Sequence, residues 1–228
     1  MTRSIHDVVY ILRNNLVNPS ELVYSLRSLD NFQHGDVWFA GGIPRRVKPD
    51  KALPIEQKGL TKWERTTFTL RKVCECPDVS NPFYLFNDDF FILKPTDHIP
   101  YMYESTIEER VKVTGITSYT KQLQQTADEL KRRGLSVNNY ALHVPMLIDK
   151  DKALEVIDTF EGFPMFRCLY GNYWNVGGIN VHDVKIHENN KNVPDDADFV
   201  STNDTSFMYG KVGQYLRRTF PSKCKYEL

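Results

Sequence analysis

Pro82-Phe83-Tyr84-Leu85-Phe86-Asn87-Asp88-Asp89-Phe90-Phe91-Ile92-Leu93 sets two short, aromatic-rich apolar runs on either side of one amide and two carboxylates. Runs of this length are too short for helices and read as buried strands. Two adjacent carboxylates buried without partners carry a heavy desolvation cost or force one of them to stay protonated, which places them at the exposed end of a central strand. There they can hold a hard cation. Mg²⁺ takes oxygen ligands and is commonly bound by one or two carboxylates together with substrate phosphates. A polar hairpin turn accounts for the same three residues equally well, since Asn-Asp-Asp is acceptable turn chemistry.

On the N-terminal side, Asp7-Val8-Val9-Tyr10-Ile11-Leu12 is a compact β-branched run that suits a first buried strand, ending at Arg13-Asn14-Asn15. Asn18-Pro19-Ser20-Glu21 carries helix-start chemistry, and Leu22, Leu26 and Leu29 recur at helical spacing, which predicts a helix over about 19–32. Asp36-Val37-Trp38-Phe39-Ala40-Gly41-Gly42 reads as a second strand closing in a glycine pair, where backbone can approach a ligand or simply turn. Strand, helix, strand in this order predicts an α/β fold: a mainly parallel central sheet flanked by helices, with strands near 7–12, 36–41 and 82–87 whose C-terminal ends line one crevice. Residues 43–61, rich in Pro, Lys and Arg, read as a long loop over the sheet's edge, and 62–76 as a helix.

On the C-terminal side, 101–113 stays open between strands and a short helix, and 117–133 is a Gln-rich helix stopped by Gly134. A small helical insertion over about 100–138 is therefore expected within one domain spanning 1–228. In Tyr140-Ala141-Leu142-His143-Val144-Pro145-Met146-Leu147-Ile148 a lone histidine interrupts an apolar run, ahead of a helix over about 149–160. Such a histidine is either a satisfied core residue or, at a strand end, a group facing the ligand crevice. Arg167, inside the aromatic cluster 166–173, is either a snorkelling or salt-bridged side chain or a phosphate clamp. Asp198-Phe199-Val200-Ser201-Thr202-Asn203-Asp204 repeats the pattern of an apolar strand followed by Asn-Asp.

Composition narrows the classes. The 228 residues are 41% hydrophobic and 12% aromatic, enough for a full core. Lys plus Arg equals Asp plus Glu at 29 each, so no global field draws nucleic acid or an anionic membrane. The start of the chain lacks a signal-peptide pattern and no later run approaches the span of a bilayer, which predicts a soluble, cytoplasmic protein. Four cysteines (Cys74, Cys76, Cys168, Cys224) are too few for a disulfide scaffold of this length and read as reduced thiols.

Six blocks, in order, resemble the motifs of the Stealth family: 20–29, 83–91, 142–145, Phe166-Arg167, 200–204 and 220–227. That family comprises bacterial capsular polysaccharide phosphotransferases and the catalytic core of the lysosomal-enzyme N-acetylglucosamine-1-phosphotransferase. The chain looks like a minimal stand-alone version, because the acidic residue and Gly that usually follow the first Val-Tyr strand are absent here. The resemblance implies a glycosyltransferase A-like (Rossmann-like) fold and transfer of a sugar 1-phosphate from a nucleotide-sugar donor to a hydroxyl of a glycan or surface polymer, assisted by Mg²⁺ or Mn²⁺. Carried over residue by residue, Asp88 and Asp89 stand at the metal and donor phosphates, Asn87 orients them and His143 is the base. Arg13, Arg27 and Arg167 are candidate phosphate or structural contacts, Lys62 a candidate substrate contact, and Asn203 and Asp204 complete the site. An ordinary glycosyltransferase and a non-catalytic nucleotide-sugar-binding protein are the alternatives.

Overall fold

The computed structural model describes residues 5–16 and 18–228. The chain opens with β1 (Val8–Leu12), α1 (Ser20–Ser28) and β2 (Val37–Gly41), followed by β3 (Lys51–Pro54), α2 (Lys62–Glu75) and β4 (Phe83–Phe86). Strand β1 pairs in parallel with β2 on one side and β4 on the other, which makes it the axis of the sheet. Its side chains alternate between two cores. Val9, Trp38, Ala40, Phe83 and Leu85 point to one face, while Val8, Tyr10, Leu12, Phe39 and Phe86 point to the other. Each fully buried aliphatic or aromatic side chain of this kind is worth about 1.5–3 kcal/mol. Helix α1 closes the second face with Leu22 and Leu26, and its Ser25 hydroxyl lies 2.9 Å from the buried Tyr10 hydroxyl.

The expected loop over 43–61 contains an edge strand. Lys51–Pro54 adds β3 in parallel to β2, and its exposed side chains hid it in the sequence. An edge strand packs on one neighbour only, and Pro54, with no N–H to donate, suits such an edge. The glycine pair also resolves. A Cβ on Gly41 would lie 2.3 Å from the Leu12 carbonyl oxygen and one on Gly42 2.3 Å from that of Arg13, so the pair lets two strand ends touch each other.

Beyond β4 come β5 (Phe90–Ile92), β6 (Met102–Tyr103), α3 (Ile107–Thr114), α4 (Ser118–Arg132), β7 (Met146–Ile148), α5 (Lys150–Thr159) and α6 (Phe166–Tyr173). The chain ends with β8 (Ile179–Asn180), β9 (Lys185–Ile186), β10 (Phe199–Thr202), α7 (Asp204–Tyr209) and α8 (Lys211–Thr219). Among the described residues the main sheet runs β3-β2-β1-β4-β7, mainly parallel, with only β7 antiparallel. A second sheet, β5-β10-β9, packs Phe91, Ile186 and Val200 against Phe207 and Leu216 of the last two helices. Asn87, Asp88 and Asp89 are thus the joint between two sheets, and the hairpin-turn reading falls because β4 and β5 pair with different partners. The C-terminal residues lie back across α1: the Arg27 guanidinium meets Glu227 through both fork nitrogens, at 2.7 and 2.8 Å. No helix among the described residues is long and apolar enough to cross a membrane.

Candidate active site

The direction of β7 brings His143 to the joint. Phe83, Tyr84 and Leu85 pair with Ile148, Leu147 and Met146, so His143, three residues ahead of Met146, lies beyond the C-terminal end of β4. The sequence places this histidine at a strand end; the structure puts it ahead of the first residue of an antiparallel strand, the end that lies beside the C-terminal end of β4. Its ring stands edge-on to Phe90, with centroids 6.5 Å apart. Asp183 holds it at two points: the His143 backbone N–H donates to Oδ1 at 3.1 Å, and Nδ1 lies 2.8 Å from Oδ2.

Asp89, 8% exposed, is paired with Lys185 at 2.8 Å through Oδ2, while its Oδ1 is buried with no hydrogen-bond partner. Asp88 is held above the usual carboxylate range by burial and then by the neighbouring Asp89 charge; the cations Arg13, just past β1, and Lys62, the first residue of α2, pull the other way. Glu21, in the first turn of α1, joins from the second core's side. Its carboxyl accepts the Thr202 hydroxyl at 2.5 Å. Burial pushes it up to about 8, and Asp89, a hydrogen bond with Asp204 and Asp88 add to the rise against the opposing Thr202 bond. Asn203 caps α7, taking the Ser206 N–H at 2.7 Å, and its amide lies 3.3 Å from His187 Nδ1.

Arg167, on α6, is half-buried, with its guanidinium turned inward. Its guanidinium donates to the Leu142 and Val144 carbonyls on either side of His143 and to that of Leu85, and lies 5.2 Å from the centre of the Phe90 ring. Burial pulls it down to about 10 while the Asp89 charge raises it, so it stays charged at neutral pH. Every one of these hydrogen bonds ends on backbone, and its nearest structural effect is to shape the segment that carries His143.

The structure therefore brings Asp88, Asp89, His143, Arg167, Asn203 and Asp204 around one network of hydrogen bonds and charges, with Arg13 and Lys62 acting on Asp88 by charge and Asn87 half-buried next to Asp88 in the chain. Arg27 does not join. Its donors are taken by Glu227 and the Phe220 and Pro221 carbonyls. Glu21, Asp183, Lys185, His187 and Thr202 belong to the network without having been picked out as site residues.

No three acidic, imidazole or thiol side chains among the described residues form a cage for a metal ion. The joint does offer the partial set that suits Mg²⁺: two adjacent carboxylates, one with a buried oxygen left unpartnered, and open cations nearby for phosphate. Two grooves, one of about 480 Å³ along α4 and one of about 170 Å³ among α2, α5 and α6, are lined by none of these residues.

No family model matches the chain, and no curated protein matches it. Among solved structures, an active-site mutant of LgtC is 11% identical over 96% of this chain and 98% of its own, with a TM-score of 0.42. The galactosyltransferase LgtC in complex with donor and acceptor sugar analogs is 12% identical over 72% of this chain and 68% of its own, with a TM-score of 0.33. At that distance the likeness speaks to neither chemistry nor substrate.

Proposed function

We propose that the protein transfers a sugar 1-phosphate from a nucleotide sugar to a hydroxyl of a glycan or polymer and releases a nucleoside monophosphate, with 1–228 acting as one catalytic domain. The observation that carries the reading is the joint itself. A carboxylate pair with an unpartnered oxygen stands at the same end of the sheet as a histidine gripped by a buried carboxylate, and three separate segments of the chain supply them. A structural account of either motif alone requires no such meeting.

In this reading Asp88 and Asp89 hold a Mg²⁺ or Mn²⁺ ion, which offsets the charge of the donor pyrophosphate. Arg13 and Lys62, exposed beside Asp88, meet the phosphate oxygens. The acceptor oxygen attacks the phosphorus next to the sugar, the bridging P–O bond to the nucleotide breaks, and His143 takes the hydroxyl proton through Nε2. Arg167 fixes the backbone that aims His143, and Asn203, Asp204 and Glu21 form the wall facing the carboxylate pair.

The test is product identity. The protein is incubated with UDP-N-acetylglucosamine, UDP-glucose, UDP-galactose and GDP-mannose, with Mg²⁺ or Mn²⁺ and a mixed glycan acceptor. Nucleoside monophosphate is the expected product. Release of diphosphate points to sugar transfer instead, and donor binding indifferent to metal, with no release, removes the enzyme reading. His143→Ala is expected to cut turnover about 10²–10⁴-fold with donor affinity nearly unchanged. Wild-type turnover in that variant rules out the base.

A further inference from the structure

The stretch His182-Asp183-Val184-Lys185-Ile186-His187 crosses the site as a short extended segment around β9, which pairs in parallel with β10. Val184 and Ile186 pack into two of the cores, so the alternate side chains stand on the opposite face. Each of those three meets a different part of the network: Asp183 meets His143, Lys185 meets Asp89 and His187 meets Asn203. One polar contact from an edge segment is ordinary surface structure. Three in succession, spaced by two residues and directed at three separate parts of the site, make this face a wall that sets where those groups point.

We propose that Asp183 is the positioning residue of this wall, fixing His143 as the tautomer with hydrogen on Nδ1 and the Nε2 lone pair free toward the acceptor hydroxyl. Two oxygens of one carboxylate grip one residue, and that double hold fixes both the backbone and the ring of His143. The Asp183 side chain is 9% exposed and the His143 side chain 29%, so the carboxylate lies inward and the ring keeps an edge outward. Burial works to raise the Asp183 carboxyl, but the hydrogen bonds it accepts from the His143 ring and backbone hold it below its ordinary range. An ionised carboxylate only accepts, so Nδ1 must be the donor. The Asp183 N–H in turn donates to Glu104 at 3.2 Å, which anchors the positioning residue itself.

The inference rests on His143 being the base, and the experiment separates the two. Ring ¹⁵N spectra of the full chain at a pH where His143 is neutral should show hydrogen on Nδ1; hydrogen on Nε2 in the wild type overturns the inference without any variant. In Asp183→Asn the amide oxygen is claimed by the His143 backbone N–H, so the NH₂ group faces Nδ1 and the ring must switch to the Nε2–H form. Turnover with the donor that is active in the panel above should then fall by about 10²-fold or more with little change in KM, part of the loss returning in Asp183→Glu. A switched tautomer with full turnover overturns the positioning role. Wild-type turnover in His143→Ala, by contrast, removes the base while leaving the tautomer measurement standing.

Discussion

Asp7 and Asp89 are equally buried, each 8% exposed, and they sit at opposite ends of the same sheet with opposite wiring. Asp7 precedes β1. Its Oδ1 takes the Asp36 N–H at 3.0 Å, and its Oδ2 takes the Trp38 indole at 2.9 Å and the Ser80 N–H at 3.0 Å, so its carboxylate is covered by neutral donors. Asp89 follows β4, has one cation on one oxygen and nothing on the other, and stands next to a second carboxylate. The end of the sheet where strands begin is wired for stability; the end where they finish is left short of partners. Buried polar groups are nearly always satisfied in folded proteins, and the open oxygen of Asp89, set beside a second carboxylate, leaves this end of the sheet with capacity that chain does not fill.

The largest effects should separate the two ends. Asp7→Ala strands three donors in the interior at about 1–3 kcal/mol each, and even with relaxation the loss should reach roughly 3–5 kcal/mol, or about 10 °C in Tm. Turnover per folded molecule should not change. Asp88→Asn should do the reverse: it removes the repulsion from Asp89, leaves Tm level or slightly higher, and cuts turnover by about 10²–10³. The gain in donor affinity that metal confers should vanish with it in calorimetry. An Asp88→Asn variant that melts early and still binds donor in a metal-dependent way would put both ends of the sheet in the same structural class.

The joint was legible in the sequence because three polar residues interrupt an apolar run, and the surrounding strands because their β-branched and aromatic runs are long enough to declare a period. Asp183 was not. Its segment alternates polar and apolar residues, but β9 is only two residues long, and a signal that short does not rise above a loop. Searching for alternate charged residues around a Val-x-Ile pair would have found it. Glu21 was hidden differently: an acidic residue in the first turn of a helix has its own reason to be there, the helix dipole, and nothing local says that it also faces three aspartates. Arg27 shows the converse. It lies in one of the blocks that carry the resemblance, yet its contacts hold the C-terminal residues to α1.

Arg27→Ala therefore tests whether that block serves the stable end or the open one. The Arg27 and Glu227 side chains are 11% and 9% exposed, and the guanidinium also lies 4.6 Å from the centre of the Tyr24 ring. Removing it leaves Glu227 largely buried without its cation, and a loss of about 2–4 kcal/mol is expected, below the Asp7→Ala effect because the pair sits nearer the surface. Arg27→Lys should recover little, since a single ammonium cannot replace the two-point fork. Differential scanning calorimetry on both variants, with donor titrations alongside, decides the matter. Weakened donor binding at an unchanged Tm would return Arg27 to the phosphate site.

The smallest effect is the most specific to the open end, because it reads the crowding of carboxylates there through stability alone. Glu21 is pushed from 4.5 up to about 8, chiefly by burial and then by its acidic neighbours. A carboxyl raised in the folded state keeps its proton there while the unfolded chain has already released it, so the folded state binds more protons between those two values. Stability must then fall as pH rises from about 4.5 to about 8 and level off above, the reverse of the slope a salt-bridged carboxylate produces. Glu21→Gln removes that slope. The amide can still accept the Thr202 hydroxyl and can donate to Asp204 as the neutral acid does, so the variant should match the wild type near pH 4.5 and exceed it at pH 8.5 by about 1–2 kcal/mol, roughly 2–8 °C in Tm. Melting curves across that range check it. Parallel curves for the two proteins at every pH would mean that Glu21 is ionised in the folded state, and that the cations around the joint offset its acidic neighbours.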